Sequence, residues 1–306
     1  MNMDDTQAPP GRLEARYRAF LETIASLRPK LHRYCARMTG STVDGEDVVQ
    51  DALFDAYRRL ETYDDSRPIG PWLFRIAHNR CIDFLRRREV RAQAEDAAAE
   101  PDVTDPVDPP GPALGRAVEH LVQHLPPKER ACVLLRDVFD YNLEEIADLT
   151  ESTTGGVKAA LHRGRGKLNA LPPPGAVTAA PALPQETERV LRLYVERFNQ
   201  RDWDGLRALI TADATLRVAD MFEGPMRQSP YFTRYANLPA PLFAVLSDVD
   251  GQPVLVLYPD GQPSAEPVAF VRISMDDGHI VHVTDYTHCP WMAANASHVS
   301  PLPARA

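Results

Sequence analysis

Apolar residues recur at helical spacing through the first ninety positions. Leu13, Tyr17, Phe20, Ile24, Leu27, Leu31, Tyr34 and Met38 predict a helix over residues 13–38, which Pro29 kinks or splits. Val48, Val49, Ala52, Leu53, Ala56 and Tyr57 share one face of a second helix, from about Asp44 to Leu60. A turn with Asp64, Asp65, Pro68 and Gly70 follows. A third helix starts near Pro71, a favoured first-turn residue, and passes through Trp72, Leu73, Ile76, Ala77, Ile82 and Leu85 into Arg86, Arg87 and Arg88. The periodicity then fails. Residues 93–113 are acidic, rich in proline and poor in large apolar groups, the composition of a flexible linker.

Helical patterning resumes over residues 113–125 and again after Pro126–Pro127, with Val133, Leu134 and Val138. Residues 143–168, LEEIADLTESTTGGVKAALHRGRGKL, read as an acidic helix, a polar turn and a second helix starting near Thr153. That second helix carries Lys158, Arg163, Arg165 and Lys167 with no acid among them. Such a pair predicts a helix-turn-helix whose second member suits the DNA major groove. A proline-rich stretch, 171–184, separates this from a different pattern. There, a helix over 186–200 and a short one from Asp202 to Leu209 precede five strand-like runs: 214–219, 242–249, 253–258, 267–274 and 279–286. Asp250-Gly251, Asp260-Gly261 and Asp277-Gly278 are hairpin-turn dipeptides between them. Helices leading into a meander predict an α+β domain.

Composition changes this picture in two ways. The formal net charge is −9, so tight DNA binding by the chain alone is disfavoured, although the field a nucleic acid meets is local. Cys35, Cys81, Cys132 and Cys289 are widely spaced, without a CxxC pair, which points to reduced thiols rather than a zinc site or a disulfide framework. No cofactor or metal is expected; His288 and Cys289 in DYTHCPW lack further ligands. The polar N-terminus has no signal-peptide core, and no apolar run reaches bilayer length, so a cytoplasmic chain without a membrane partner is expected.

Charge is partitioned between helices. Asp44, Glu46, Asp47, Asp51 and Asp55 precede any base on the second helix, whereas Arg75, Arg80, Arg86, Arg87 and Arg88 meet only Asp83 on the third. Phosphate attracts the basic surface and repels the acidic one, which suits a basic protein partner. The motifs DGEDVVQDALFDAY (44–57), PWLFRIAHNRCIDFLRRR (71–88), LPPKERACVLLRDVFDY (125–141) and EEIADL…GGVKAALHRGRGKL (144–168) together resemble bacterial sigma factors of the extracytoplasmic-function type. The resemblance implies two all-helical domains: region two (13–92) and region four (114–171), joined by the linker 93–113. It implies binding to core RNA polymerase through Asp47, Gln50 and Asp51. It implies contact with the minus-ten element of promoter DNA through Arg67, Asn79, Arg80, Asp83, Arg86 and Arg87, the loop Thr62 to Arg67 holding an extruded base. Thr154, Lys158, His162, Arg163 and Arg165 would read the minus-thirty-five element. Two departures bear on promoter choice: Gly155-Gly156 removes side chains at the start of the recognition helix, and Glu151 stands where the family often has glycine.

After a second linker (172–185), residues 186–296 resemble the SnoaL-like, ketosteroid-isomerase-like cone. That implies a ligand pocket, for which Arg217, Tyr258, His282 and Asp285 are the candidates, with Asp220, Tyr231 and Arg272 as further polar groups. His282 alternates with Val281 and Val283, and which set faces inward is open from sequence alone. The fold class expected is therefore multi-domain: two all-α sigma domains followed by an α+β cone. The leading function is promoter direction of RNA polymerase, with the last domain regulating in cis and not acting as an enzyme. The alternative is a SnoaL-like isomerase or cyclase fused to a DNA-binding module. A simple repressor using the helix-turn-helix alone leaves residues 44–88 without a role.

Overall fold

The computed structural model describes residues 10–64, 68–98, 124–171, 183–259 and 266–303. Arg67, the Asp260-Gly261 turn, most of both linkers and nearly all of the helix expected over 113–125 lie outside them. The described chain divides into two compact units. The first holds nearly all of six helices: α1 (Pro10–Thr39), α2 (Thr42–Arg58), α3 (Ile69–Ala98), α4 (Pro127–Val133), α5 (Leu143–Leu149) and α6 (Thr154–Ala170). The second takes the start of α2 (residues 42–43) and everything from α7 (Gln185–Gln200) onward.

Pro29 neither splits nor ends α1, which runs through it. Helix α3 continues to Ala98, so the first residues of the expected linker are helical. The acid-rich α2 is less acidic outside than its count suggests. Glu46 is fully buried and paired with Arg28 of α1 at 2.5 Å, and Asp44 is buried as well. A buried ion pair of this kind is costly to break from one side. Helices α1 and α2 cross where Gly45 meets Ala36, with no room for a β-carbon.

One continuous apolar core joins the two helical regions of this unit. Tyr34 and Phe74 face Phe139 at centroid distances of 5.8 and 6.2 Å, and Phe74 also meets Tyr141 at 5.6 Å. Lys30 lies 4.9 Å from the Tyr141 ring centre, a cation–π approach. The buried Arg130 donates to the Met38 carbonyl and, at 3.2 Å, to that of Leu125. Helix α4 passes through a π turn over Leu134–Val138 before the helix-turn-helix.

The second unit packs α7, α8 (Trp203–Ala208) and α9 (Tyr231–Ala236) on a seven-stranded sheet. A short α10 (Trp291–Asn295) lies near the chain's end. The strands are β1 (Ile210–Val218), β2 (Phe222–Pro225), β3 (Phe243–Val249), β4 (Gln252–Tyr258), β5 (Ala269–Asp276), β6 (His279–Asp285) and β7 (Val299–Pro301), ordered β2-β1-β6-β5-β4-β3-β7. β3 to β6 form the expected meander, with left-handed Asp250-Gly251 and Asp277-Gly278 pairs at two of its turns. β1 pairs with β6 in parallel, and the short edge strands β2 and β7 were not foreseen.

Candidate nucleic-acid and protein interfaces

On α2, Asp51 is exposed and Asp47 half-buried, but Gln50 is buried, so it does not share their surface. Two aromatic residues do. Phe54 is 62% exposed and Tyr57 52%, although Tyr57 is expected on the buried face. Positions 47, 51, 54 and 58 follow helical spacing, and that period is the signal that identifies Phe54. An exposed aromatic pair beside carboxylates is characteristic of protein contact surfaces. Asp55 turns inward and accepts from Nε of Arg80 at 2.7 Å. This bond raises the Arg80 pKa and braces α3 against α2, so Arg80 has a structural partner of its own.

On α3, Asn79, Asp83, Arg86 and Arg87 are exposed and lie on one stripe, at i, i+4, i+7 and i+8. A shallow groove of about 640 Å³ runs along Asp83, Arg86, Arg87 and Val90. At the start of α3, Trp72 is half-buried and its ring lies 4.6 Å from that of Tyr63. Phe74, two residues on, is core.

The helix-turn-helix is capped at both starts. Asn142 Oδ1 accepts from the Glu145 backbone at 2.9 Å, and Glu145 reciprocates to the Asn142 N–H at 2.7 Å, a capping box. Thr153 Oγ1 accepts from the Gly156 N–H at 3.0 Å and starts α6. Glu151 sits in the turn with φ at 48°, a left-handed backbone that glycine adopts at less cost. On α6, Thr154, Lys158, His162, Arg163 and Arg165 are all exposed. The first three and Arg165 form one stripe. Arg163 and Lys167 share a single carboxylate on α4: each donates to Glu129 at 2.9 Å. Lys167 first and then Arg163 hold the Glu129 carboxyl below its ordinary pKa. Arg165 donates from Nε to Asp137 at 3.1 Å, which raises its own pKa. These cations fix the tilt of α6, and Gly164 lets the helix approach Val133 closely. Lys158 and His162 remain at the front of the exposed stripe.

The four residues expected to line a pocket in the second unit are not brought together. Strand pleating places Ala214, Leu216 and Val218 of β1, with Val283 of β6, in the core beneath α7 and α9. Asp285 joins that side. It is fully buried, accepts from the Tyr235 hydroxyl at 2.5 Å and from the Thr287 backbone N–H at 2.8 Å. Arg217 and His282 alternate to the opposite face, where the His282 ring contacts Thr215 at 2.6 Å and Thr284 at 2.9 Å. Tyr258 belongs to a third cluster with Phe270 and Tyr286. Tyr231 is a core residue near Asp285, whose charge and the surrounding burial push its phenol pKa well up, burial being the larger cause. Among the described residues no group of three metal-ligating side chains occurs, and no helix is long and apolar enough to cross a membrane.

Comparison with known proteins accounts for the first unit. Sigma-70 region 2 matches residues 23–91, and Sigma-70, region 4, matches 115–168. The ECF RNA polymerase sigma factor SigW of Bacillus subtilis is 30% identical over 162 residues, 49% of this chain and 87% of that one. The chain belongs to the extracytoplasmic-function family of RNA polymerase sigma factors. SigG of Mycobacterium tuberculosis is 32% identical over 213 residues, covering 61% of this chain. The match spans 58% of SigG's length. The crystal structure of the M. tuberculosis sigma factor SigJ aligns with 87% of this chain and 95% of its own, at 16% identity and a TM-score of 0.35. For this sigma factor, α1–α3 thus stand in region two and α4–α6 in region four.

Proposed function

We propose that this sigma factor binds core RNA polymerase through α2 and directs it to promoters. The exposed stripe of α3 and the loop before it engage the melted minus-ten strand, and α6 reads the minus-thirty-five duplex. The second unit adjusts output in cis. The observation that carries this reading is the separation of surfaces on the sigma-70 segments: Asp51, Phe54 and Tyr57 on one helix, Asn79, Arg86 and Arg87 on the next, and Thr154, Lys158 and His162 on the recognition helix. The acidic and aromatic surface suits a basic protein. The other two suit DNA, and neither needs to hold duplex unaided, because attachment to polymerase supplies effective concentration.

Run-off transcription with purified core enzyme tests this directly. The full chain is expected to associate with core at modest ionic strength and to confer promoter-dependent initiation. Failure to associate overturns the reading. The pair Asp51→Arg and Phe54→Ala is expected to weaken association by at least about tenfold, as loss of one aromatic anchor costs about 1–2 kcal/mol or more, while the melting temperature stays unchanged. Lys158→Glu is expected to leave core association intact and to reduce initiation only at promoters that depend on the minus-thirty-five element, since a lost base or phosphate contact costs about 1–3 kcal/mol.

For the second unit we favour regulation over catalysis. Both oxygens of Asp285 already accept hydrogen bonds, from Tyr235 on one side and Thr287 on the other, as in a carboxylate that braces its core.

A further inference from the structure

Helix α3 changes chemistry along its exposed face. Asn79, Asp83, Arg86, Arg87, Val90 and Arg91 follow one another at helical spacing, and all are exposed. The first two bring no cation. From Arg86 onward the face holds guanidinium groups and no carboxylate. Arg88 and Glu89 fall off it by the same spacing, and Arg88 donates to the Thr39 carbonyl at 3.3 Å. Among the described residues Arg86, Arg87 and Arg91 have no ion-pair partner, whereas Asp55 holds Arg80, Glu129 holds Arg163 and Asp137 holds Arg165. The groove of about 640 Å³ runs along this stretch, with Val90, 60% exposed, and Ala94 as its apolar lining.

The start of α3 is different. There the Tyr63 and Trp72 rings lie 4.6 Å apart, the kind of surface on which an unpaired base stacks. From Trp72 to Arg91 the helix rises about 28 Å, at about 1.5 Å per residue. Residues 86–94 contain no aromatic side chain, so the far end has nothing on which a base can stack. What it offers is charge, and a double helix presents phosphates along its axis at twice the density of one of its strands. An apolar strip beside guanidinium groups also matches deoxyribose beside phosphate, a contact that carries no base information. We infer that the far end of α3 grips paired DNA: Arg87 and Arg91, with Arg86, hold phosphates of the double helix that borders the melted segment, whatever its sequence. This deepens the promoter reading above and rests on it. The melted strand is engaged at the aromatic end of the helix, and duplex is held at the cationic end.

Salt dependence tests this. Holoenzyme is formed from core enzyme and the full chain, and its affinity is measured for a template from which wild type initiates. The template is premelted by a mismatched bubble and used in two forms, one with the upstream duplex and one cut at the upstream edge of the bubble. With the duplex present, Arg91→Ala is expected to lower the slope of log affinity against log salt by about 0.9, the effect of one phosphate contact. The advantage of wild type is then about 3.5-fold greater at about 50 mM salt than at about 200 mM. Adding Arg87→Ala is expected to double the change in slope, and Arg91→Lys to keep the wild-type slope. Arg88→Ala removes the same charge off the face and is expected to change the slope little. On the cut template every variant is expected to bind as wild type does, and exchanging the base pairs that border the bubble is expected to leave the slopes as they were. Arg91→Ala with a wild-type slope overturns the inference. So does an equal loss on the cut template, which would assign these arginines to the melted strand, or a loss of core association, which would assign them to a protein partner. A wild-type chain that binds core but initiates from no template removes the promoter reading, and this inference with it.

Discussion

Gly45→Ala is expected to destabilise the helical unit by at least about 2 kcal/mol, near the upper end of what overpacking a core costs. The residue sits within α2, where alanine ordinarily stabilises relative to glycine by about 1 kcal/mol. Here the sign reverses. A β-carbon at Gly45 would stand 2.5 Å from both Cα and N of Ala36 and 2.9 Å from its Cβ. Two of those atoms are backbone of α1, which cannot swing aside as a side-chain tip can. Relief requires α1 and α2 to separate, and this pulls on the buried Arg28–Glu46 pair that ties the same two helices. The surface with Asp51, Phe54 and Tyr57 then loses its support, and the association with core polymerase proposed for it is expected to fall with stability. Gly166 supplies the opposite control. It lies in α6, and a β-carbon there would meet nothing within 4 Å, so Gly166→Ala is expected to stabilise by up to about 1 kcal/mol. Urea unfolding followed by circular dichroism measures both. A Gly45→Ala variant as stable as wild type would show that α1 and α2 do not cross this closely.

The helices were legible because each buries one stripe, and a period near 3.6 survives in the sequence whatever the partner. The helix-turn-helix was legible in its polar turn and in the one-signed charge of its second helix, which starts after the Thr153 cap; the Asn142–Glu145 capping box and the left-handed backbone at Glu151 emerge only from the structure. What was not legible depends on distant partners. Glu46 reads as part of an acidic face, yet Arg28 draws it inside; Tyr57 reads as core, yet half of it is exposed. Arg80, Arg163 and Arg165 read as DNA contacts by charge, and all three are exposed enough to serve, but Asp55, Glu129 and Asp137 already engage them. In the second unit the strands were found, but not the parallel pairing of β1 with β6 or the two edge strands, which carry little periodic signal in three or four residues. Parity then decides the pocket residues. A single alternation separates His282 from Val283 and Asp285, and the sequence supplies the alternation without the side on which the core lies.

Acidification from pH 7 to pH 4 is expected to weaken the helical unit by about 3 kcal/mol through His78 alone. His78 lies in α3, 7% exposed, with Nδ1 at 2.8 Å from the Tyr34 hydroxyl. Burial drives the phenol pKa of Tyr34 well up, so Tyr34 is the donor and Nδ1 the acceptor, which leaves the proton of the neutral ring on Nε2. Burial also lowers the His78 pKa from 6.5 to about 4; the Glu151 carboxylate pulls the other way and offsets this only in part. The sign follows from which state binds the proton. Between pH 6.5 and about 4 the unfolded chain is protonated at this histidine and the folded chain is not, so the unfolded state gains stability as pH falls. The contribution is fully present above pH 6.5 and is lost towards pH 4. The fall from 6.5 to about 4, at about 1.4 kcal/mol for each tenfold change in proton affinity, sets the size. Other carboxyl groups titrate in the same range, so the measurement is a difference. Urea unfolding of wild type and His78→Gln is compared at pH 7, 5.5 and 4. Glutamine still offers Tyr34 an acceptor but takes up no proton, and its stability is expected to fall about 3 kcal/mol less than that of wild type over this interval. Parallel curves for the two proteins would mean that His78 is already charged, or is reached by water, in the folded chain. The same residue borders the packing between the two helical regions, since Tyr34, its hydrogen-bond partner, also packs on Phe139. Protonation of His78 is therefore expected to loosen the packing between the two helical regions before the helices themselves unfold, and the near-ultraviolet signal of these aromatics should decline at higher pH than the helical signal in wild type, and together with it in His78→Gln.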